Sequence, residues 1–339
     1  MKIRKSILYI GNNLTQKSGY NSTIAVLSKL LKENYQVRVA SAKPNKFLRL
    51  IDMISAVIKF NKQTDFILID TFSTINFYYA LIISQLARLL KIKYVPILHG
   101  GNLPHRLEQF PILSKLIFKH AYANVAPSNY LKVAFEKIGF KTLYIPNVLN
   151  ISDYDFKSRM TLKPNLLYVR AFDKIYNPTM AIEVLFALQK TYPQATLCMI
   201  GPAKDHSYQE TLLKIKALNL ENSVEITGVL PKEMWCKKSE AFDIFINTTN
   251  FDNTPVSIME AMALGLPIVS TNAGGLPYLI EDKLDGVLVN KGDVKQMAFE
   301  IVNLLKNPLF ASQIATLARK KAESFDWNQV KNAWFALLK

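Results

Sequence analysis

The chain has 339 residues, half of them hydrophobic, so it exceeds one ordinary domain and can fill two packed cores. Its two cysteines, Cys198 and Cys236, exclude a disulfide framework and fit a reduced, cytoplasmic setting. The net charge of +16 is uneven: residues 1–150 hold 21 Lys+Arg against 6 Asp+Glu, while residues 151–339 hold 21 against 20. An anionic partner for the first half is implied, and nucleic acid, anionic lipid headgroups and a phosphorylated acceptor all fit the charge.

The opening MKIRKSILYIGNN is basic and then briefly apolar. Ile7 to Ile10 is too short for a signal-peptide core and reads as a first strand. The loop Gly11 to Gly19 contains neither G-x-G-x-x-G nor a Walker lysine pattern, but it sets Lys17, Ser18 and Gly19 beside a helix start, where an anion can bind. The spacing then predicts helix Tyr20–Glu33, strand Gln36–Ala40, helix Phe47–Asn61 and strand Phe66–Asp70. The longest apolar stretch, Ile75 to Leu90, carries Gln85 and Arg88 and is short of a bilayer span, so it reads as a buried helix before strand Tyr94–Leu98.

His99, Gly100, Gly101 and Asn102 follow that strand directly, and two glycines let a ligand approach the imidazole. His105 and Arg106 follow in a loop, where an acceptor or lipid could meet them, and read first as solvated loop residues. A helix near Ser114–His120, a strand near Tyr122–Val125, a helix capped by Ser128 and strand Thr142–Ile145 complete the first half. Strand–helix alternation throughout argues a parallel sheet covered on both faces, with ligands gathered at the carboxyl ends of the strands.

A second alternation begins with strand Asn165–Val169, followed at once by Arg170 and then Lys174, two cations suited to a diphosphate. Helix Thr179–Thr191, strand Ala195–Ile200, helix Tyr208–Leu218 and strands Val224–Ile226 and Ile244–Ile246 come next. Cys198 falls in an apolar strand and belongs to the core. The segment FDNTPVSIMEAMALGLPIVS, 251–270, reads as loop, helix and strand, with Thr254 as the cap and Pro255 in the first helical position. Asp252 precedes the helix and Glu260 sits inside the apolar run IMEAMAL, where a carboxylate is costly unless something binds it. Backbone N–H groups around residues 254–256 lie between the two acids and offer an anion site. A phosphate flanked by hydroxyls, as in a nucleotide sugar, suits the pattern. Gly274-Gly275-Leu276-Pro277 and helices Val294–Lys306, Phe310–Glu323 and Asp326–Leu338 follow.

This order of motifs resembles the retaining GT-B glycosyltransferases of family 4. Strand-Arg170, the Asn177-Pro178 helix start, the Gly201-Pro202 turn, Asp252-x7-Glu260 and the GGxP turn come in the family's sequence. Two departures stand out: Asp252 occupies the place of a usual Glu, and Lys174 follows Arg170 by four residues rather than five.

The resemblance implies an α/β fold of two Rossmann-like doubly wound domains facing across a deep cleft. Residues 1–149 would bind the acceptor, 150–325 the nucleotide sugar, and 326–339 would form a helix packing back towards the first domain. It implies Asp252 and His99 as catalytic residues, with Arg170, Lys174, Asn253, Thr254, Pro255, Val256 and Glu260 binding the donor. Gly19, Gly100 and Asn102 would line the acceptor side.

No metal and no cofactor are expected beyond a UDP or GDP sugar as donor substrate. The expected partners are that donor, a glycan or lipid-linked acceptor, and an anionic membrane at the inner face reached through the basic first domain, with no nucleic acid. A sugar-nucleotide epimerase of the same architecture and a two-lobed sugar-binding protein without catalysis are the alternatives.

Overall fold

The structure, a computed structural model, describes residues 4–13 and 22–339. The chain divides into two compact units, Met1–Val148 with Trp327–Lys339, and Leu149–Asp326.

In the first unit the elements run β1 (Ser6–Ile10), α1 (Thr23–Leu31), β2 (Gln36–Ala40), α2 (Lys46–Phe60), β3 (Phe66–Thr71), α3 (Asn76–Leu89), β4 (Lys93–Leu98), α4 (Leu103–Gln109), α5 (Pro111–Phe118), β5 (Asn124–Ala126), α6 (Asn129–Lys137) and β6 (Thr142–Tyr144). All six strands are parallel, in the order β2-β1-β3-β4-β5-β6. Strand residues alternate between faces. Leu8 and Ile10 of β1 therefore join the core under α2 and α3, while Ile7 and Tyr9 join a second core on the other face. Burial on both faces explains why these strands read as unbroken apolar runs. Side chains start the helices: Asn45 Oδ1 accepts from the N–H groups of Phe47 and Leu48, and Ser128 Oγ accepts from that of Leu131.

The second unit continues with β7 (Asn165–Val169), α7 (Pro178–Gln189), β8 (Thr196–Ile200), α8 (Ser207–Ala217), β9 (Val224–Gly228), α9 (Lys232–Ser239), β10 (Ile244–Asn247), α10 (Val256–Ala263), β11 (Ile268–Thr271), α11 (Leu276–Leu279), β12 (Val287–Val289), α12 (Val294–Lys306) and α13 (Pro308–Glu323). Its parallel sheet has the order β12-β11-β10-β7-β8-β9. Leu166 and Tyr168 face one core and Leu167 the other, as in the first unit.

The last helix, α14 (Trp327–Leu337), belongs to the first unit. It buries Trp327, Val330, Trp334 and Leu337 there, and the Trp327 indole N–H donates to Glu33 at 3.0 Å. Leu149 and Asp326 fall instead with the second unit. The Leu149 N–H donates to the Phe325 carbonyl at 2.9 Å, and that of Ile151 to the Asp326 carboxylate at 3.2 Å, so its two ends are tied to each other.

Several elements depart from the sequence-based expectation. His105 and Arg106 lie in α4, a seven-residue helix that Pro104 starts in its first turn, rather than in a loop. Arg106 is not solvated: its guanidinium stacks on Phe77 and Phe110, 4.9 and 4.4 Å from the ring centres. Helix α5 begins at Pro111, three residues before the predicted start. Helix α9 was not foreseen, because only Trp235 and Ser239 face inwards and no apolar stripe marks it. The three-residue β12 was too short to stand out.

Candidate active site

Each sheet has one place where the chain reverses its direction of winding. In open parallel sheets ligands bind outside the carboxyl ends of the strands at that point. In the second unit it lies between β7 and β10, where Leu166 and Leu167 pair with Ile244 and Phe245. Arg170 is the first residue past β7, and the loop from Thr248 to Pro255 leaves β10. Hydrogen bonds stitch that loop to the turn after β7, among them Thr248 Oγ1 donating to the carbonyls of Tyr176 and Asn177 at 3.1 and 2.8 Å, and the Asn250 N–H to that of Ile175 at 2.7 Å.

The consequence is an ion pair. Arg170 Nη2 donates to Asp252 Oδ2, with both side chains mostly buried. The guanidinium also lies over the Tyr176 ring, 4.2 Å from its centre. Burial is the largest influence and opposes the Arg170 charge, but the Asp252 carboxylate together with Tyr176 and Tyr168 offsets it and leaves the guanidinium pKa raised. Two donors beside this pair are buried and find no hydrogen-bond partner among the described residues, Arg170 Nε and Thr254 Oγ1. Unsatisfied buried donors are uncommon and costly, so a pair of them at a switch point marks a place where an acceptor belongs.

The loop is held tightly from behind. The Gly275 N–H donates to the Asp252 carbonyl at 2.8 Å. A side chain at Gly275 would overlap the Asn253 carbonyl, and one at Gly274, whose φ is +60°, would overlap that of Asp252. The GGxP turn is therefore glycine because the backbone of 252–253 lies against it.

The predicted cap fails. Pro255, with ψ 118°, is the extended residue before α10, and no side chain caps the helix. The Thr254 hydroxyl is left unpartnered rather than bonded to the first turn. Pro255 carries no N–H, so the first backbone donors of this helix are those of Val256 and Ser257, and residues 254–256 do not offer three in a run.

Glu260 is the fifth residue of α10, and Tyr154 Oη donates to its Oε1 at 2.7 Å. Burial raises the Glu260 carboxyl to about 7, against the lowering effects of the Tyr154 hydroxyl and Lys232. Tyr154 is raised well above the ordinary tyrosine value, first by burial and then by Glu260. Lys232 lies 4.3 Å from the Tyr154 ring centre and pairs with Asp153 at 2.8 Å. The far end of α10 is clamped by two guanidinium groups. Arg159 donates to the carbonyls of Leu264 and Gly265 at 3.1 and 2.9 Å, and Arg319 to those of Ala263 and Tyr154 at 2.6 and 2.8 Å. Cations at a helix C-terminus satisfy its last carbonyls and complement its dipole. They fix the helix that carries Glu260.

Lys174 is exposed and lies in the turn after β7; its backbone N–H is held by Asp205 at 2.9 Å, and Asp252 pairs with Arg170, not with it. Asn253 is buried, and its N–H donates to Asp252 Oδ1 at 2.8 Å.

In the first unit the switch point lies between β1 and β3. Asp70, near the end of β3, accepts from Tyr9 Oη at 2.9 Å and pairs with His99 Nε2 at 2.8 Å. The His99 ring rests 5.3 Å from that of Phe72. A neutral imidazole donating through Nε2 keeps Nδ1 as an acceptor. A small, partly open pocket adjoins the acid, lined among others by Asn12, Asp70, Phe72, Asn76 and Tyr79. Arg49, buried, braces its rim by donating to Asn12 Oδ1 at 2.9 Å.

At Gly100 a side chain would meet the Ser73 N at 2.5 Å, so the glycine makes room for the chain itself. Asn102 is exposed at the start of α4 without capping it. Gly19, with Lys17 and Ser18, lies outside the described residues. Asp70, Tyr9 and Tyr154 were missed from sequence. The one signal for Asp70 was an acid closing the apolar run Phe66–Ile69.

Two parallel α/β units, each carrying polar side chains at its switch point, define a GT-B glycosyltransferase fold. The family model described as Glycosyl transferases group 1 matches residues 152–321, half of the chain. The chain belongs to that family and is a glycosyltransferase. It is 24% identical over 336 residues to the amylovoran biosynthesis glycosyltransferase AmsK of Erwinia amylovora, spanning 90% of this chain and 77% of that one. To the sulfoquinovosyl transferase SQD2 of Arabidopsis thaliana it is 29% identical over 150 residues, 43% of this chain and 28% of SQD2. Among solved structures, Anabaena HepE in complex with UDP-glucose superposes with a TM-score of 0.78 at 20% identity, over 98% of this chain and 99% of HepE. Sucrose-phosphate synthase from Thermosynechococcus elongatus gives 0.82 at 17% identity, over 98% of each chain. At such identities the likeness carries the fold.

Proposed function

We propose that this chain is a retaining glycosyltransferase that moves a sugar from a nucleotide diphosphate sugar to a glycan or lipid-linked acceptor, in the assembly of a cell-surface polysaccharide or glycolipid. The observation that carries the reading is the Arg170–Asp252 pair at the switch point, with two unpartnered donors beside it and Glu260 one turn into the following helix. The names of AmsK and HepE support it, the first from amylovoran biosynthesis and the second from its complex with UDP-glucose. UDP or GDP is the proposed nucleotide.

In this reading the diphosphate draws on Arg170, the Thr254 hydroxyl and the N–H groups of Val256 and Ser257, with Lys174 as an outer cation. Diphosphate binding to Arg170 releases Asp252 towards the hydroxyls of the transferred sugar. Glu260, ionised, accepts from the ribose hydroxyls. The bond from the anomeric carbon to the phosphate oxygen breaks as the acceptor oxygen arrives on the same face, and the acceptor's proton passes to the departing phosphate. Donors aimed at an oxygen that gains charge favour the transition state over the ground state.

His99, held by Asp70, serves the acceptor side. Among the described residues no group of three or more His, Cys, Asp or Glu could hold a metal ion, and the reading assigns neutralisation of the phosphate to Arg170 and the start of α10. No helix among the described residues is long and apolar enough to cross a membrane. The proposed place of action is the cytoplasmic side, at the inner face of a membrane.

A thermal-shift screen of UDP, GDP, ADP and CDP sugars on wild type, Arg170→Ala and Glu260→Ala tests it. A nucleotide that raises the wild-type midpoint but neither variant's is the expected result. A folded wild type that responds to none of them at millimolar concentration overturns the reading.

A further inference from the structure

We propose that the outer face of α2, α3 and α5 docks this chain on an anionic lipid bilayer. A helix on a sheet ordinarily turns its apolar stripe inwards and its polar stripe to water. Helix α2 turns apolar residues both ways. Met53 and Val57 enter the core, while Phe47, Leu48, Ile51 and Ile58 point outwards, 71, 54, 44 and 53% exposed.

The two neighbouring helices repeat the pattern. In α3 Tyr78, Ile82 and Leu89 are exposed, and in α5 Ile112 and Leu116 are. The three helices are consecutive neighbours on one face of the sheet: α2 packs on α3 and α3 on α5, and Gln85 Nε2 of α3 donates to the Leu116 carbonyl of α5 at 3.0 Å. The result is one apolar surface that nothing in the first unit's own core requires. Continuous exposed apolar surface of this kind marks an interaction site.

The charges around it select the occupant. Lys46 and Lys59 on α2, Arg88 on α3, and Lys115 with the adjoining Lys119 are all exposed, and none forms an ion pair among the described residues. Asp52 is the only acid in α2, and α3 and α5 contain none. Apolar side chains interspersed with cations are complementary to a surface that is negative at the headgroups and hydrocarbon just beneath. A depth of one side chain suffices.

The inference deepens the functional reading, which supplies a lipid-linked acceptor and a membrane, by assigning the face. Vesicle binding is measured without a sugar donor, so the two can fail separately.

The test is co-sedimentation of the full chain with phosphatidylcholine vesicles, and with vesicles that also contain phosphatidylglycerol. Phe47→Ser/Leu48→Ser and Lys46→Gln/Lys59→Gln are compared with Leu213→Ser/Phe299→Ser, an equally exposed apolar pair in the second unit. The expected result is sedimentation with the anionic vesicles only, reduced about tenfold by each of the first two variants and unchanged by the third. Melting curves confirm that each variant is folded. No sedimentation of wild type with anionic vesicles overturns the proposal. So does sedimentation that Phe47→Ser/Leu48→Ser leaves intact, which makes the contact one of charge alone. Gel filtration showing a dimer that the same pair dissociates, without an effect on vesicles, assigns the face to a second copy and also overturns it.

Discussion

Arg170 and Asp252 meet across the switch point of the second sheet, the guanidinium at the end of β7 donating to the carboxylate in the loop after β10. The pair leaves each charge opposite its counter-charge, and in the proposed function the diphosphate competes for the guanidinium. A charge-assisted hydrogen bond contributes roughly 1.5–3 kcal/mol, or about 10- to 100-fold in affinity. We therefore predict that Arg170→Ala weakens binding of the cognate nucleotide, UDP or GDP, by at least about tenfold, as read by calorimetry. Asp252→Asn should leave that affinity within a few-fold and lower kcat by about two orders of magnitude. Equal loss of nucleotide affinity in both variants would place Asp252 on the nucleotide instead of the sugar.

Glu260 is predicted to make stability and binding respond to pH in opposite senses. Burial raises its carboxyl to about 7 from the ordinary 4.5, so between these values the folded chain holds a proton that the unfolded chain has lost. Folding stability then declines as pH climbs through that window and levels off above it. Glu260→Gln removes the slope. Relative to wild type it should be more stable at pH 8 than at pH 5, by at most on the order of 3 kcal/mol and less as solvent reaches the half-buried side chain. Nucleotide affinity should rise through pH 7 in wild type, since the ribose hydroxyls need an ionised acceptor, and stay flat in the variant. A pH-independent wild-type affinity between pH 6 and 8 speaks against Glu260 as the ribose acceptor.

Tyr154 is predicted to position Glu260 rather than to touch the donor. Its hydroxyl lowers the Glu260 pKa through the 2.7 Å bond, and Arg319 holds its carbonyl. Tyr154→Phe should cost about 1–3 kcal/mol of stability by leaving the carboxylate short of a donor. It should also move the midpoint of nucleotide binding to higher pH, raising KM at pH 7 with kcat nearly unchanged. A loss of stability with the pH midpoint in place would reduce Tyr154 to a packing residue.

The sequence made some of this visible and hid the rest for identifiable reasons. Glu260 stood out because a carboxylate among Ile258, Met259, Ala261 and Met262 needs an explanation. Arg170 stood out because it follows an apolar strand directly. Asp252 stood out as the acid before the helix of Glu260, but its pairing with Arg170 did not, nor did Tyr154 as the partner of Glu260. Asp252 reaches Arg170, 82 positions earlier, only because β10 inserts beside β7, and strand order is not written in periodicity. Asp70 read as the last residue of a strand. Thr254 read as a helix cap by residue type, and the extended backbone at Pro255 decided otherwise. The outward apolar residues of α2 did not stand out, since a period of 3.6 reports a stripe without saying whether the other stripe is also apolar.

Asp70 supplies the last prediction, because it ties two side chains of the first unit together. Its carboxylate accepts from Tyr9 and pairs with His99 Nε2, so it fixes both the ring orientation and the tautomer of the histidine. Tyr9 depends on it in turn: burial first, and then the Asp70 charge, push the phenol well above its ordinary value, so Tyr9 remains a donor. Asp70→Asn keeps the size of the side chain but lets the amide donate, which favours the imidazole with its acceptor nitrogen turned to residue 70. Steady-state kinetics should then show kcat lowered by about 10- to 100-fold, close to the loss in His99→Ala, with the double variant no worse than either alone. Calorimetric affinity for the nucleotide should be unchanged in all three, because Arg170, Asp252 and Glu260 belong to the second unit. Additive losses in the double variant would separate the roles of Asp70 and His99. A fall in nucleotide affinity would move His99 from the acceptor side to the donor.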